Sequence, residues 1–264
     1  MPVSRIKSII IGVLVIINLL FLTFIAIDHT AENRARAEEL QRITELYTKN
    51  GVFLSRDLKL SDTPAGRSWP RSIQAEEELA RRLLGETSVS DQGGSIYLYT
   101  SEQGTALFRS GGEFEVGLEP GAYPAECTEA AVKRLMHQLG LTAETAVITG
   151  DTARAVQTVQ DVPIFNCILE LSFQEGSLLR ISGRLAASGG APAGSGGMTC
   201  ASALMRFLSL VLSGDVACTH VYDIFPGYVM NTSVFGAVEL QPAWKLVTDT
   251  GEYQISAVSG VQLT

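Results

Sequence analysis

An uncharged apolar segment near the start of the chain, residues 9–27, constrains the fold and location of everything that follows it. A helix needs about 20 mainly apolar residues to cross the roughly 30 Å hydrocarbon core of a bilayer. A cleaved secretion signal has a shorter apolar stretch of about 7–15 residues and then a small-x-small site. The nearest such site, at residues 35–37, lies beyond several charged residues. The sequence therefore predicts an uncleaved transmembrane helix over residues 9–27.

The charges that flank this segment predict its orientation. Arg5 and Lys7 lie directly before it, whereas the first basic residue after it, Arg34, is seven positions away. Basic residues beside a membrane helix favour the cytoplasmic side. We therefore expect a single-pass protein of the cell membrane, with the tail, residues 1–8, in the cytoplasm and the C-terminal bulk outside.

Three residues of the N-terminal region are candidates for contact with another membrane helix. Asn18 is the only strongly polar side chain in the span, and Ser8 and Gly12 are small residues four positions apart. Small residues let helices approach closely, and a buried amide stabilises a helix pair by about 0.6–2 kcal/mol. The alternative is a single tolerated asparagine that makes no such contact. We take Ser8, Gly12 and Asn18 as candidate partner-contact residues.

The composition of the chain excludes some classes of partner and leaves the state of the cysteines open. Without Arg5, Lys7 and Asp28 it has 18 basic and 27 acidic residues, which argues against nucleic acid or an anionic lipid surface as the main partner. The four cysteines allow three disulfide pairings, but free thiols are an equal alternative. No C-x-x-C spacing occurs, so neither a redox motif nor a zinc motif is indicated. The cysteines are Cys127, Cys167, Cys200 and Cys218.

The helical pattern of the membrane segment continues beyond it. No proline or glycine occurs between residues 13 and 50, and apolar side chains recur at helical intervals until the stop signal Asn50-Gly51. The sequence thus predicts a membrane-proximal helix over residues 28–51, then a strand over 52–60 and a turn-rich joint over 62–70.

An internal repeat organises the rest of the chain. Gly104, Gly176 and Gly251 each separate two strand-like runs, and large residues precede each glycine by seven and by five positions. Because alternate residues of a strand share a face, each run predicts a hairpin with one apolar face. The large residues are Tyr97 and Tyr99, Leu169 and Leu171, and Trp244 and Leu246.

Each predicted hairpin follows an amphipathic helix, so the chain is predicted to be an α+β protein built from helix-plus-antiparallel-sheet modules. A sheet with one apolar face needs such a helix as cover. The glycine-rich segment 188–197 has no lysine in a phosphate-loop pattern and is interpreted as a linker. The predicted helices cover residues 73–84, 126–139 and 201–212, and the modules cover residues 52–122, 123–187 and 198–264.

Residues able to carry chemistry form no catalytic pattern. Cys218 and His220 share a strand face with Asp223 nearby, but the sequence places no further metal ligand. The acidic run at residues 76–78 starts a helix, where the helix dipole favours negative charge, and is interpreted as a solvated face. We therefore predict no catalytic, cofactor or metal site, and a protein that is not an enzyme. A deep cleft lined by His220, Asp223 and a cysteine would point to an envelope enzyme instead.

Three stretches of the chain resemble the YycI family. They are the opening Arg5-Ile6-Lys7 before an apolar run with Asn18-Leu19-Leu20, the stop Asn50-Gly51-Val52, and the closing run AWKLVTDTGEY at residues 243–253. YycI and its relative YycH are membrane-anchored accessory proteins of the WalK–WalR two-component system of Gram-positive bacteria. The four cysteines and the glycine-rich segment depart from that family.

The resemblance implies helix-plus-sheet modules similar to PepSY-like domains on one N-terminal anchor. It also implies two partners in the bilayer, a WalK-like sensor histidine kinase and a YycH-like accessory protein. The implied function is regulation of a kinase that controls cell-wall metabolism, through contacts between membrane helices. An alternative hypothesis is an extracytoplasmic PepSY-like module that binds a ligand or inhibits a peptidase.

Overall fold

The computed structural model describes residues 14–15, 17–18, 20, 34–144, 146–186, 191–193, 197–232 and 237–263. These residues form four main helices and a large sheet of 15 strands, so the predicted mixed α+β class is confirmed. The helices are α1 at residues 34–49, α2 at Ile73–Leu84, α3 at Glu129–Leu139 and α4 at Cys200–Ser213.

Strands supply the rest of the regular structure. Those before α3 are β1 (Phe53–Leu54), β2 (Arg67–Trp69), β3 (Ser88–Asp91), β4 (Tyr97–Ser101), β5 (Gly104–Phe108) and β6 (Glu113–Leu118). Those between α3 and α4 are β7 (Val147–Thr149), β8 (Thr152–Val159), β9 (Val162–Gln174), β10 (Ser177–Arg184) and β11 (Ala191–Pro192). After α4 follow β12 (His220–Thr232), β13 (Val238–Thr248), β14 (Glu252–Ser256) and β15 (Gln262–Leu263).

Local sequence fixes the ends of three helices. Helices α2, α3 and α4 each begin after a hydroxyl residue whose side chain accepts a backbone N–H of the first turn, which satisfies a donor that has no partner inside the helix. Each ends at a glycine with positive φ. The N-caps are Ser72, Thr128 and Thr199, and the C-caps are Gly85, Gly140 and Gly214.

The sheet has two parts, each covered by helices, which we call the first and second lobes. The first lobe consists of β3–β10 with α2 and α3, and the second consists of β1, β2 and β11–β15 with α1 and α4. The two parts meet where β12 runs parallel to β9, with Tyr228 opposite Ile164. Beside this pair the Asn166 amide bonds both the backbone oxygen and the backbone nitrogen of Met230, at 2.9 and 2.8 Å. A side chain thus extends the strand pairing across the junction.

The first two predicted modules share one apolar core. Leu83 of α2, Val132 of α3 and Leu171 of β9 belong to a single cluster of buried residues. Strand β10 also pairs with β6, which joins the two segments in one sheet. Contacts therefore cross the predicted boundary between residues 122 and 123, and the module boundaries stay predictions.

The three predicted glycine hairpins are confirmed. Strand β4 pairs with β5, β9 with β10 and β13 with β14, all antiparallel. Five of the six large residues that defined the pattern are buried, and Tyr97 is half-buried. The buried five are Tyr99, Leu169, Leu171, Trp244 and Leu246.

Other predicted boundaries differ from the structure. The strand predicted over residues 52–60 is limited to β1, and the joint 62–70 contains β2. The described part of the predicted linker contains β11, where the Ala193 N–H donates to the Gly66 carbonyl at 2.8 Å. These short strands exist because distant segments offer backbone partners, which local composition does not reveal.

The predicted anchor, residues 9–27, lies mostly outside the described residues, and so do Ser8 and Gly12. Its described residues are helical and exposed; they are Leu14, Val15, Ile17, Asn18 and Leu20. Within the part of the chain that is described, no helix has both the length and the apolar character needed to cross a bilayer. The transmembrane helix therefore stays a prediction from sequence.

Candidate functional site

Helix α1 is packed into the core of the second lobe. Tyr47 is fully buried and Ile43 is 6% exposed. The Tyr47 hydroxyl donates to the Leu204 carbonyl of α4 at 2.6 Å, and burial raises the pKa of Tyr47, so the phenol remains a donor. A buried aromatic ring with a satisfied hydroxyl holds a helix in one orientation. Helix α1, residues 34–49, is therefore part of the folded lobe.

The chain leaves α1 by a short route into the sheet. The Val52 N–H donates to the Tyr47 carbonyl at 3.1 Å, and the intervening Gly51 has a φ of 77°, which favours glycine. The Phe53 N–H then donates to the Thr219 carbonyl at 2.8 Å. The end of α1 is thus linked within a few residues to the start of β12.

An exposed carboxylate holds the start of β12. Asp249, in the turn between β13 and β14, accepts hydrogen bonds from the Thr219 N–H and hydroxyl at 3.1 and 2.6 Å and from the His220 N–H at 3.2 Å. The Thr219 hydrogen bonds favour the ionised form and hold the pKa of Asp249 well below its usual range. We call Thr219, His220 and Asp249 the Asp249 clasp. It fixes the strand against which β1 pairs.

The closing run that resembles the YycI family forms the β13–β14 hairpin. Trp244 is fully buried, and its indole N–H donates to the Met198 carbonyl at 3.0 Å. The Lys245 ammonium lies 2.6 Å from Glu252 and 5.6 Å from the ring centre of Phe165 in the first lobe. These contacts stabilise the fold, and they link the hairpin to both lobes.

The structure brings together only part of the predicted cysteine–histidine group. The Cys218 thiol donates to the His220 carbonyl at 3.3 Å, whereas Asp223 accepts the N–H of the next residue, Ile224. The carboxylate that lies beside Thr219 and His220 is Asp249, which was not predicted as a candidate from the sequence. The Asp-Thr-Gly sequence in the turn of the third hairpin could have indicated it. Among the described residues, no group of three His, Cys, Asp or Glu side chains could hold a metal ion.

Two exposed rings lie close to His220. Phe53 and His220 stack with ring centres 5.2 Å apart, and the ring centres of His220 and Tyr222 are 6.4 Å apart. Phe53 and Tyr222 are 47% and 54% exposed. We call these three residues the ring row. Five cavities of 270–490 Å³ in the described part of the chain are lined by other residues.

The predicted solvated face at residues 76–78 is wrong for Glu76, which is only 2% exposed. Its two carboxylate oxygens accept from Nε and Nη2 of Arg71 at 2.6 and 2.9 Å. Arg71 also donates to the Ser95 carbonyl, and its hydrogen bonds to Glu76 raise the pKa of the guanidinium. Arg71 precedes α2 and supplies the charge that makes the burial of a carboxylate tolerable, as such pairs require.

All four cysteines are free, and three of them are buried. Burial raises the pKa of Cys167 to about 12 and the pKa values of Cys200 and Cys218 to about 11. The partly exposed Cys127 has a raised pKa as well, chiefly through burial of its thiol. Protonated thiols are poor nucleophiles and poor metal ligands at neutral pH.

No protein-family model matches the chain, and no curated protein matches it. Several solved structures overlap with it, including the following two. An uncharacterized protein from Eubacterium rectale ATCC 33656 is 11% identical, with 81% of this chain and 89% of that chain covered and a TM-score of 0.48. The YpeB C-terminal domain of Bacillus megaterium is 12% identical, with 74% and 96% covered and a TM-score of 0.34. A likeness of this size carries no conclusion about activity or partners.

Proposed function

We propose that this protein is a membrane-anchored, non-enzymatic regulator that modulates a sensor histidine kinase from the outer side of the membrane. One observation supports the proposal most directly: Tyr47 fixes the helix that follows the predicted anchor into the core of the second lobe. A domain attached in this way moves together with its membrane helix. The proposed family is the YycI type, with a WalK-like kinase and a YycH-like protein as partners and cell-wall metabolism as the controlled process.

The proposed contact is made by Ser8, at the cytoplasmic edge of the predicted span, and by Gly12 and Asn18 within it. Small residues allow a partner helix to approach, and the Asn18 amide offers a hydrogen bond to it. A kinase with two signalling states needs only a modest bias, because a partner that prefers one state by a few kcal/mol shifts the population strongly. A bound helix is able to supply such a bias.

The finer fold assignment is also part of the proposal. In the first lobe, α2 and α3 cover one face of an antiparallel sheet, and in the second lobe α1 and α4 pack against β12, β13 and β14. Helices packed on one face of a small antiparallel sheet are the arrangement expected of PepSY-like modules.

The test is a replacement of the span in the full-length protein. Residues 6–27 are exchanged for an unrelated spanning helix of equal length, and kinase autophosphorylation and co-purification are measured in membranes that contain both proteins. We expect the exchange to abolish both effects while the folded part of the chain stays intact. Unchanged autophosphorylation together with unchanged co-purification would rule out regulation through the membrane helix.

A second hypothesis, an extracytoplasmic binding or peptidase-inhibitory module, is favoured by the ring row. Exposed aromatic side chains that lie together often mark a binding surface. On this hypothesis the protein with the exchanged span remains active, and replacement of Phe53 and Tyr222 by serine removes the activity. If the protein is the proposed regulator, the exchanged span removes the activity and the two serine substitutions leave it in place.

A further inference from the structure

We infer that the ring row and the Asp249 clasp together form a recognition site for an arginine side chain of a partner protein. Nε2 of His220 is the hydrogen-bond acceptor of this site, and the faces of Phe53 and Tyr222 are its stacking surface. The inference goes beyond the proposed function, because a contact between membrane helices uses none of these residues. It assigns a ligand class to the ring row.

The Asp249 clasp fixes which nitrogen of His220 carries the proton. An ionised carboxylate only accepts hydrogen bonds, so the Thr219 hydroxyl donates its single proton to Asp249 across 2.6 Å. The Thr219 oxygen is then left as an acceptor, and Nδ1 of His220, which lies 3.0 Å away, donates to it. A neutral imidazole with its proton on Nδ1 has an unprotonated Nε2. No donor within the described part of the chain bonds that Nε2, so His220 offers it to a ligand.

The rings around His220 suit a planar cation. The imidazole plane makes an angle of 30° with the ring of Phe53 and of 22° with the ring of Tyr222, so neighbouring rings are close to parallel. A guanidinium that donates to Nε2 can lie in the imidazole plane, and it is then close to parallel to the two other ring faces. Aromatic faces attract cations, and the planar group of arginine also stacks on them. The ring row therefore fits an arginine side chain.

The same groups disfavour other ligands. A quaternary ammonium has no N–H to donate to Nε2, and a lysine ammonium has no plane to stack. An anion would meet two exposed carboxylates, Asp249 in the clasp and Asp223 next to Tyr222. Phe53 and Tyr222 are about half exposed, so the row is an open surface, whereas small molecules are bound in enclosing clefts. The arginine therefore belongs to a partner protein, whose other contacts supply the rest of the affinity.

The experiment titrates the full-length protein in detergent with short capped peptides at about pH 8, where an ordinary histidine is neutral. The three histidines are isotope-labelled at Cε1 for nuclear magnetic resonance. The peptides carry a single arginine, citrulline, lysine or trimethyllysine between uncharged residues, and citrulline has the shape of arginine without its charge. We expect the arginine peptide to shift the His220 signal saturably and the other three to bind at least about fivefold more weakly. The signals of His29 and His137 should stay in place.

A pair of serine substitutions tests the stacking surface. Phe53→Ser combined with Tyr222→Ser should weaken binding of the arginine peptide by about tenfold. The control is Val258→Ser combined with Val261→Ser, which replaces two exposed side chains elsewhere in the second lobe and should leave binding unchanged. Thermal melting checks that both double variants are folded.

The nitrogen signals of the His220 imidazole test the role of the clasp. The native protein should show an unprotonated Nε2, and Thr219→Val should transfer part of the proton population from Nδ1 to Nε2, because the acceptor of the Nδ1 proton is lost. A protonated Nε2 in the native protein, no shift with the arginine peptide, equal binding of the citrulline peptide, or unchanged binding in the Phe53 and Tyr222 variant each overturns the inference. None of these measurements involves the kinase, so their failure is distinct from a failure of the proposed function.

Discussion

The phenol of Tyr47 donates a hydrogen bond to the carbonyl of Leu204, a residue 157 positions later, over 2.6 Å. This single contact joins the helix that follows the predicted anchor to the helix that covers the last hairpin. Both partners are buried, so no water is at hand to replace the hydrogen bond if it breaks. The bond links α1 to α4 within the second lobe.

Truncation of Tyr47 should destabilise the second lobe. We expect Tyr47→Phe to cost about 1–3 kcal/mol, because the Leu204 carbonyl loses its partner, and Tyr47→Ala to cost about 3–5 kcal/mol, because a cavity forms as well. Urea unfolding followed by tryptophan fluorescence measures this, since Trp244 lies in the same core. Lys49→Ala on the exposed face of α1 is the control and should stay within about 0.5 kcal/mol. A Tyr47→Ala protein as stable as the control would show that α1 is not docked.

The ion pair between Arg71 and Glu76 should behave as a buried pair. Arg71→Ala leaves a carboxylate buried without its counter-charge, and we expect a loss of about 3–5 kcal/mol in the free energy of unfolding. Replacing both residues with methionine should restore much of that loss, because no isolated charge remains. A double-mutant cycle measures the coupling, with the exposed Glu77→Ala as a control expected to be nearly neutral. If the losses of unfolding free energy in the two single variants simply add up in the double variant, the two side chains do not interact.

Acid should weaken the Asp249 clasp. The folded state lowers the pKa of Asp249, so its contribution to stability is present above the unfolded pKa of about 4 and is lost as the pH falls below it. The urea midpoint of the native protein should therefore fall more steeply below pH 4 than that of Asp249→Asn. Glu77→Gln, which replaces an exposed carboxylate outside the clasp, is the matched control variant. Parallel profiles for the native protein and Asp249→Asn would show that the clasp does not stabilise the fold.

Thiol reactivity should separate Cys127 from the other cysteines. Cys127 is partly exposed, whereas Cys167, Cys200 and Cys218 are buried, so an aromatic disulfide reagent at pH 8 should label one thiol rapidly in the native protein and all four in urea. The buried thiols have pKa values raised to about 11–12, so their contribution to stability is present below about pH 9 and is lost as the pH rises towards those values. Rapid labelling of two or more native thiols would contradict this placement.

Local patterns predicted the hairpins and the helix ends well. The spacing around Gly104, Gly176 and Gly251 identified three pairings that the structure contains, because a turn glycine and alternating apolar residues act within a few positions. Helix α2 has the predicted bounds, since Ser72 and Gly85 cap it locally.

Long-range partners explain what was missed. Asp249 accepts hydrogen bonds from Thr219, which lies 30 residues earlier at the other end of the β12–β13 hairpin. Glu76 differs, because its partner Arg71 lies only five residues earlier but stands before α2, outside the helical pattern. The short strand at Ala191–Pro192 depends in the same way on the edge of β2. Such partners are brought together by the tertiary fold, so a local pattern such as Asp-Thr-Gly can mark a residue without showing which partner it meets.

The central claim is that the protein acts through one face of its membrane helix, and two sets of leucine substitutions test it most directly. Ser8→Leu, Gly12→Leu and Asn18→Leu together fill the proposed contact face. Val13→Leu, Ile17→Leu and Phe24→Leu together change the opposite side of the same helix. Autophosphorylation of the partner kinase is measured in membranes that contain each full-length variant. Loss of modulation with the first set and its retention with the second is the predicted result, and retention with both sets would contradict the claim.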